Sequence, residues 1–172
     1  MTRLYLTIVL SLVLLPSLAW SQDYQQTVKL SNGKYWGVST KYLTSFESGY
    51  EGHFQWNSNE VRSTLIRLYQ TPAFPERSSK WFFCYGYGAH VAWYHKYSIY
   101  NIFTPFDPPR KHLKHFLSVG ADAYIGLEYR FLKHPFVLSF DLMPNFEFFG
   151  PRYFRINSNS VALGIAYVIN KN

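Results

Sequence analysis

Four acids and an arginine stand on strand-like stretches between positions 122 and 147: Asp122, Glu128, Arg130, Asp141 and Glu147. Carboxylates beside a cation could do general acid–base work, provided they come within hydrogen-bond reach of a substrate. His53, His90 and Ser139 add a base type and a nucleophile type. Their spacing does not support that chemistry, because no His-x-Ser pair or comparable nucleophile and base recurs in the chain. The structural reading is that acids and bases fill an interior and satisfy one another, since unpaired buried charge is costly. A second constellation is Arg110, Lys111 and Lys114, interleaved with His112 and His115. Two histidines three apart, with no carboxylate or cysteine beside them, make a poor metal site. The basic run suits an anion held by charge-assisted hydrogen bonds, or simply a solvated loop. There is no phosphate-cradling glycine loop, CxxC pair or HExxH helix, so no catalytic, cofactor or metal residue is assigned.

The elements that must position these groups read as strands. In 119–131, Val119, Ala121, Ala123, Ile125, Leu127, Tyr129 and Phe131 share one face, and Gly120, Asp122, Tyr124, Gly126, Glu128 and Arg130 the other. After a turn at 132–135, Phe136, Leu138, Phe140 and Leu142 oppose Val137, Ser139, Asp141 and Met143. A period of two is the signature of pleated strands. Strands are also expected at 23–30, 35–43, 50–57, 61–70, 81–94 and 160–170. In 61–70 the adjacent Leu65 and Ile66 interrupt the alternation, so its phase is open. Pro72 and Pro75 place 71–80 in a connection, because proline cannot donate to a ladder. Residues 96–115 and 150–159 are expected to be loops. No amphipathic helix and no internal repeat appears.

The N-terminus has a different character. Arg3 precedes an uncharged run of 12 residues at 4–15, then Pro16 and the small residues of 17–21. That is a secretory signal, cut after Ser21 or after Ala19. A spanning helix would need about 20 apolar residues. The domains are therefore a signal peptide at 1–21 and one barrel domain at 22–172. Cys84 is the single cysteine, which excludes an internal disulfide framework and suits a buried or lipid-facing position. Of 17 Lys+Arg against 10 Asp+Glu, the signal removes only Arg3, leaving net +6. For an exported chain this favours anionic lipid over nucleic acid as the partner. Aromatic residues make up 20% of the chain, as the interfacial girdles of a membrane barrel would require.

Eight strands, all antiparallel, satisfy the even parity of bacterial membrane barrels. The expected fold is therefore all-β: an eight-stranded antiparallel up-and-down transmembrane β-barrel. A soluble secreted ligand-binding barrel is the competing arrangement. It would bury Phe136, Leu138 and Phe140 and expose the mixed glycine and charged face.

From residue 37 to 170 the chain resembles the small Bacteroidetes-type outer-membrane β-barrel proteins, relatives in architecture of the OmpA and OmpX barrels. Tyr50-Glu51-Gly52, Tyr69-Gln70-Thr71-Pro72-Ala73-Phe74 and Tyr85-Gly86-Tyr87-Gly88-Ala89-His90-Val91 carry the resemblance. So do Ile125-Gly126-Leu127-Glu128-Tyr129-Arg130-Phe131 and Pro135-Phe136-Val137-Leu138-Ser139-Phe140-Asp141. It implies an outer-membrane location and a structural or interaction role in the cell envelope. The expected partners are outer-membrane lipid, lipopolysaccharide and the outer-membrane assembly machinery, with the chain a monomer. Arg110, Lys111 and Lys114 would contact lipopolysaccharide phosphates, and Asp122, Glu128, Arg130, Asp141 and Glu147 would form a lumenal polar network. The enzymatic alternative is modification of lipid A, with His53, His90 and Ser139 as its polar-face candidates.

Overall fold

The computed structural model describes residues 24–99, 111–149, 155–157 and 160–171. The expected signal peptide and Arg110 lie outside them. Ten strand segments follow one another: β1 (Tyr24–Gly33), β2 (Trp36–Ser45), β3 (Ser48–Trp56), β4 (Glu60–Phe74), β5 (Ser78–Ile99), β6 (Lys111–Arg130), β7 (Phe136–Leu142), β8 (Asn145–Phe149), β9 (Arg155–Asn157) and β10 (Val161–Lys171). They make eight staves. Met143 and Pro144 split the seventh into β7 and β8, and the eighth comprises β9 and β10. All pairings are antiparallel, each stave bonding the next, with β1 on β10 and β5 on β6 closing the sheet. Closure leaves no strand edge to solvate.

The pairing register fixes the size of the barrel. Stepping sideways from Trp81 through Tyr129, Leu138, Ile165, Leu30, Val38, Phe54 and Ser63 returns to β5 at Val91, ten positions further on. Eight staves with this stagger tilt about 40° and leave an interior that side chains just fill.

Three sequence expectations change. First, β4 and β5 extend through most of 71–80, leaving 75–77 as the turn. Pro72 lies opposite Phe82, beside the register shift that precedes Phe74, so its missing donor falls where the ladder is already breaking. Second, 96–115 is not all loop. β5 runs to Ile99 and β6 starts at Lys111, the two pairing as Lys96↔Lys114 and Ile99↔Lys111. His115 adopts a left-handed φ of 54° while the register holds on either side of it, with Tyr94↔Phe116 and Lys96↔Lys114. The sequence alternation stops there because Lys111 and Lys114 fall on opposite parities. Third, 150–159 contains β9, paired with β8. The phase of β4 is also settled: Glu60, Arg62, Thr64, Ile66, Leu68 and Gln70 all point inward. Ile66 fits there because β5 presents Gly86 and Gly88, where a Cβ would lie 3.0 and 2.8 Å from the isoleucine methyls.

The polarity of the wall is inverted relative to a water-soluble protein. Phe136, Leu138 and Phe140 face outward, 39–45% exposed, as do Leu30, Leu65, Leu163 and Ile165. This is the opposite of what a soluble ligand-binding barrel requires. Aromatic side chains gather in two bands. Near the end holding both termini, Trp81 contacts Tyr129 at 4.9 Å between ring centres, and Phe136 contacts Tyr167 at 5.7 Å. At the opposite end Trp36 lies across from Trp56, with Trp93 further round. Trp81 and Trp93 stand twelve residues apart on β5, which a tilted strand turns into about 30 Å.

Candidate functional site

The side chains that could do chemistry are those on the inward parity of each stave. Six carboxylates are buried there: Glu51, Glu60, Asp122, Glu128, Asp141 and Glu147. Lys29, Lys41, Arg62 and Arg130 share the interior with His53 and His90. Inside, six carboxylates face four lysines and arginines, so the chain's basic surplus belongs to its rims and loops.

The network divides into three layers. Nearest the termini, Glu128 of β6 accepts from the Tyr24 hydroxyl at 2.7 Å and pairs with Lys41 of β2. Arg130 lies 3.5 Å from the same carboxylate, donates to Gln70 at 2.8 Å, and covers the Phe82 ring at 3.4 Å. Cys84 is fully buried close to this layer, on the inward face of β5.

In the middle layer Lys29 bridges two acids, Asp141 and Glu51, each at 2.8 Å. Ser39 donates to Glu51 at 2.7 Å, while Tyr124 and Ser139 donate to Asp141 at 2.7 and 2.9 Å. Two glycines make this crowding possible. A Cβ on Gly126 would lie 2.7 Å from the Tyr124 hydroxyl, and one on Gly164 would lie 2.9 Å from Cδ of Lys29.

In the third layer, toward the other end, Arg62 bonds Glu60 at 3.0 Å and Glu147 at 3.4 Å, and Tyr94 donates to Glu147. His90 Nδ1 meets Asp122 at 2.7 Å. Here hydrogen-bonding capacity is spare: His90 Nε2, Thr64 Oγ1, one oxygen of Asp122 and both side-chain polar atoms of Asn145 find no protein partner. Buried polar atoms of this kind are ordinarily satisfied by enclosed water.

The four acids and the arginine picked out by sequence are therefore spread along the axis, each beside its own partners. Glu128 and Arg130 share one layer, Asp141 occupies the next, and Asp122 and Glu147 the last. Sequence reading passed over Lys29, Lys41, Glu60 and Arg62, and gave Glu51 no role. Each sits on the inward parity of its strand; the alternation of β1 to β3 points to Lys29, Lys41 and Glu51, whereas Glu60 and Arg62 depend on the phase of β4. His53, His90 and Ser139 do not assemble: Ser139 turns to Asp141, His90 to Asp122, and His53 lies 3.5 Å from Glu51. A histidine oriented by a carboxylate is half of a nucleophile-activating unit, and here it is 1% exposed inside the barrel. No group of three or more His, Cys, Asp or Glu converges on a metal position among the described residues. Lys111 and Lys114 belong to the β5–β6 hairpin that rises beyond the rest of the wall.

No protein-family model matches the chain, and no curated protein matches it. Among solved structures it is similar to the N-terminal β-barrel domain of Pseudomonas aeruginosa OprF. The two superpose with a TM-score of 0.58 at 12% sequence identity, covering 84% of this chain and 98% of that one. At that identity the likeness concerns the fold: a closed eight-stranded barrel of the outer-membrane type.

Proposed function

We propose that the chain is an outer-membrane protein of the small Bacteroidetes-type barrel group, with a structural or interaction role in the cell envelope. The observation that carries this reading is the inverted polarity: charges inside, and a predominantly apolar wall between two aromatic bands outside. Hydrocarbon is the medium in which such a surface is stable, and a closed barrel is a form in which strands can cross it. The termini then lie on the periplasmic side, after removal of the signal at 1–21 and delivery by the outer-membrane assembly machinery. The β5–β6 hairpin projects from the cell, and the barrel works as a monomer. The layered ion pairs act as a packed plug that fixes strand register.

The basic run supports a lipopolysaccharide contact. Lys111 and Lys114 stand on the projecting hairpin, with Arg110 adjacent in sequence, where phosphates of the outer leaflet would meet them. Replacing all three with glutamine should reduce lipopolysaccharide co-purification; unchanged co-purification refutes that contact. The location itself is tested by electrophoresis of detergent-extracted outer membranes. A folded barrel migrates differently before and after boiling, and a chain found in the aqueous fraction without that shift contradicts the proposal.

A further inference from the structure

Arg67 is the exception on the outer wall. Its neighbours Ile66 and Leu68 are fully buried, so Arg67 projects outward. Among the described residues it is the sole Lys, Arg, Asp or Glu on the outward parity between the Trp81 and Trp93 levels. It forms no ion pair within 4.0 Å there, whereas the lumenal cations all do. An uncompensated guanidinium on an apolar wall calls for an anion from outside the chain.

The surroundings show what kind. The guanidinium lies 4.4 Å from the Tyr50 ring centre and 5.6 Å from that of Tyr69, and Nη2 donates to Ser48 Oγ at 3.3 Å. Ser48 pairs with Tyr69, two residues nearer the terminal end than Arg67. The side chain therefore bends toward the rim, as a snorkelling arginine does. Tyr69 stacks on Tyr85 at 5.6 Å, and Tyr87 stands across from Arg67. The patch offers a planar fork of N–H donors, several phenolic hydroxyls and no carboxylate partner. That combination matches a phosphate monoanion held bidentately by arginine.

We infer that Arg67, framed by Tyr50 and Tyr69, holds the phosphate of a glycerophospholipid in the leaflet at the terminal end of the barrel. The acyl chains of that lipid would lie against the apolar wall above it. The inference rests on the membrane reading, which supplies both the leaflet and the height of the site.

The test is native mass spectrometry of the detergent-solubilised full barrel with phosphatidylglycerol, diacylglycerol and inorganic phosphate as separate probes. Wild type should retain phosphatidylglycerol in preference to diacylglycerol, and Arg67→Gln should weaken that retention at least tenfold. Arg67→Lys should keep part of it, having the charge without the fork. Equal retention by Arg67→Gln overturns the assignment. Inorganic phosphate binding as tightly as the lipid makes this a free-phosphate site and overturns the lipid part. Unheated gel migration matching wild type establishes that each variant is folded; a variant that fails this is replaced by Tyr69→Leu, expected to lose at least threefold. A chain that stays soluble without detergent refutes the membrane reading. A detergent-dependent barrel whose lipid retention ignores both Arg67 and Tyr69 refutes this inference alone.

Discussion

Glu128 is where the lumenal network can be broken most informatively. Its carboxylate faces Lys41, Arg130 and the Tyr24 hydroxyl, and the residue is 2% exposed. Glu128→Gln keeps the shape and removes the charge. Lys41 then retains Glu51, 4.0 Å away, and the neutral Tyr24 hydroxyl at 3.3 Å, and Arg130 keeps neutral Gln70, Tyr24 and the Phe82 ring. Removing one member of a buried pair typically costs about 3–5 kcal/mol. The distant Glu51 places this case at about 3–4 kcal/mol, roughly two to three orders of magnitude in the folding equilibrium. The assay is urea unfolding in lipid bilayers, followed by fluorescence of Trp36, Trp56, Trp81 and Trp93. Replacing the pair, Lys41→Met with Glu128→Gln, removes the orphaned ammonium and should recover at least about 1 kcal/mol relative to the single change. A single substitution costing under about 1 kcal/mol, or a double one simply additive, would refute a network held by mutual charge compensation.

Other consequences follow from the two faces of the wall. Leu163 is 66% exposed near mid-height on β10, and Leu163→Arg should cost about 2–4 kcal/mol in bilayers by urea titration. In a water-exposed wall the same change would stay within about 0.5 kcal/mol. Gly126→Val should destabilise by about 1–3 kcal/mol, because its Cβ would press on Tyr124 and Asp141 in a filled lumen. Gly52→Val is the control: nothing lies within 4 Å of a Cβ there, so its unfolding midpoint should stay within about 0.5 kcal/mol of wild type.

Much of this architecture was legible because lumen and outer wall demand opposite residues at alternate positions. In β6, β7 and β10 the inward set is mostly Gly, Ala, Ser and charge, with Tyr124, Val137 and Val168 among them, and the outward set is aliphatic or aromatic, so both faces could be assigned from the alternation. β4 resisted because Ile66 and Leu68 are apolar yet inward. Their places depend on the missing side chains of β5, a cross-strand fact that no single strand contains. The long β5–β6 hairpin was hidden because Lys111 and Lys114 fall on opposite parities and blur the apolar alternation, and the broken seventh stave by Pro144. The ion-pair layers were half visible. Asp122, Glu128, Arg130, Asp141 and Glu147 announce themselves in strands of clear phase, while Lys29, Lys41 and Arg62 look like surface cations until the register brings acids opposite them. Arg67 is the converse, a charge one residue from an inward isoleucine, and only the phase of β4 turns it outward.

The central claim is that the apolar wall meets hydrocarbon. Trp36, Trp56 and Trp93 are 38–61% exposed on that wall, with Trp81 in the band near the termini. Reconstitution into bilayers whose acyl chains carry bromine measures the contact directly, since bromine quenches only tryptophans that touch the chains. Strong quenching by brominated lipid and little by aqueous iodide is expected. Quenching by iodide with none from brominated lipid would contradict it.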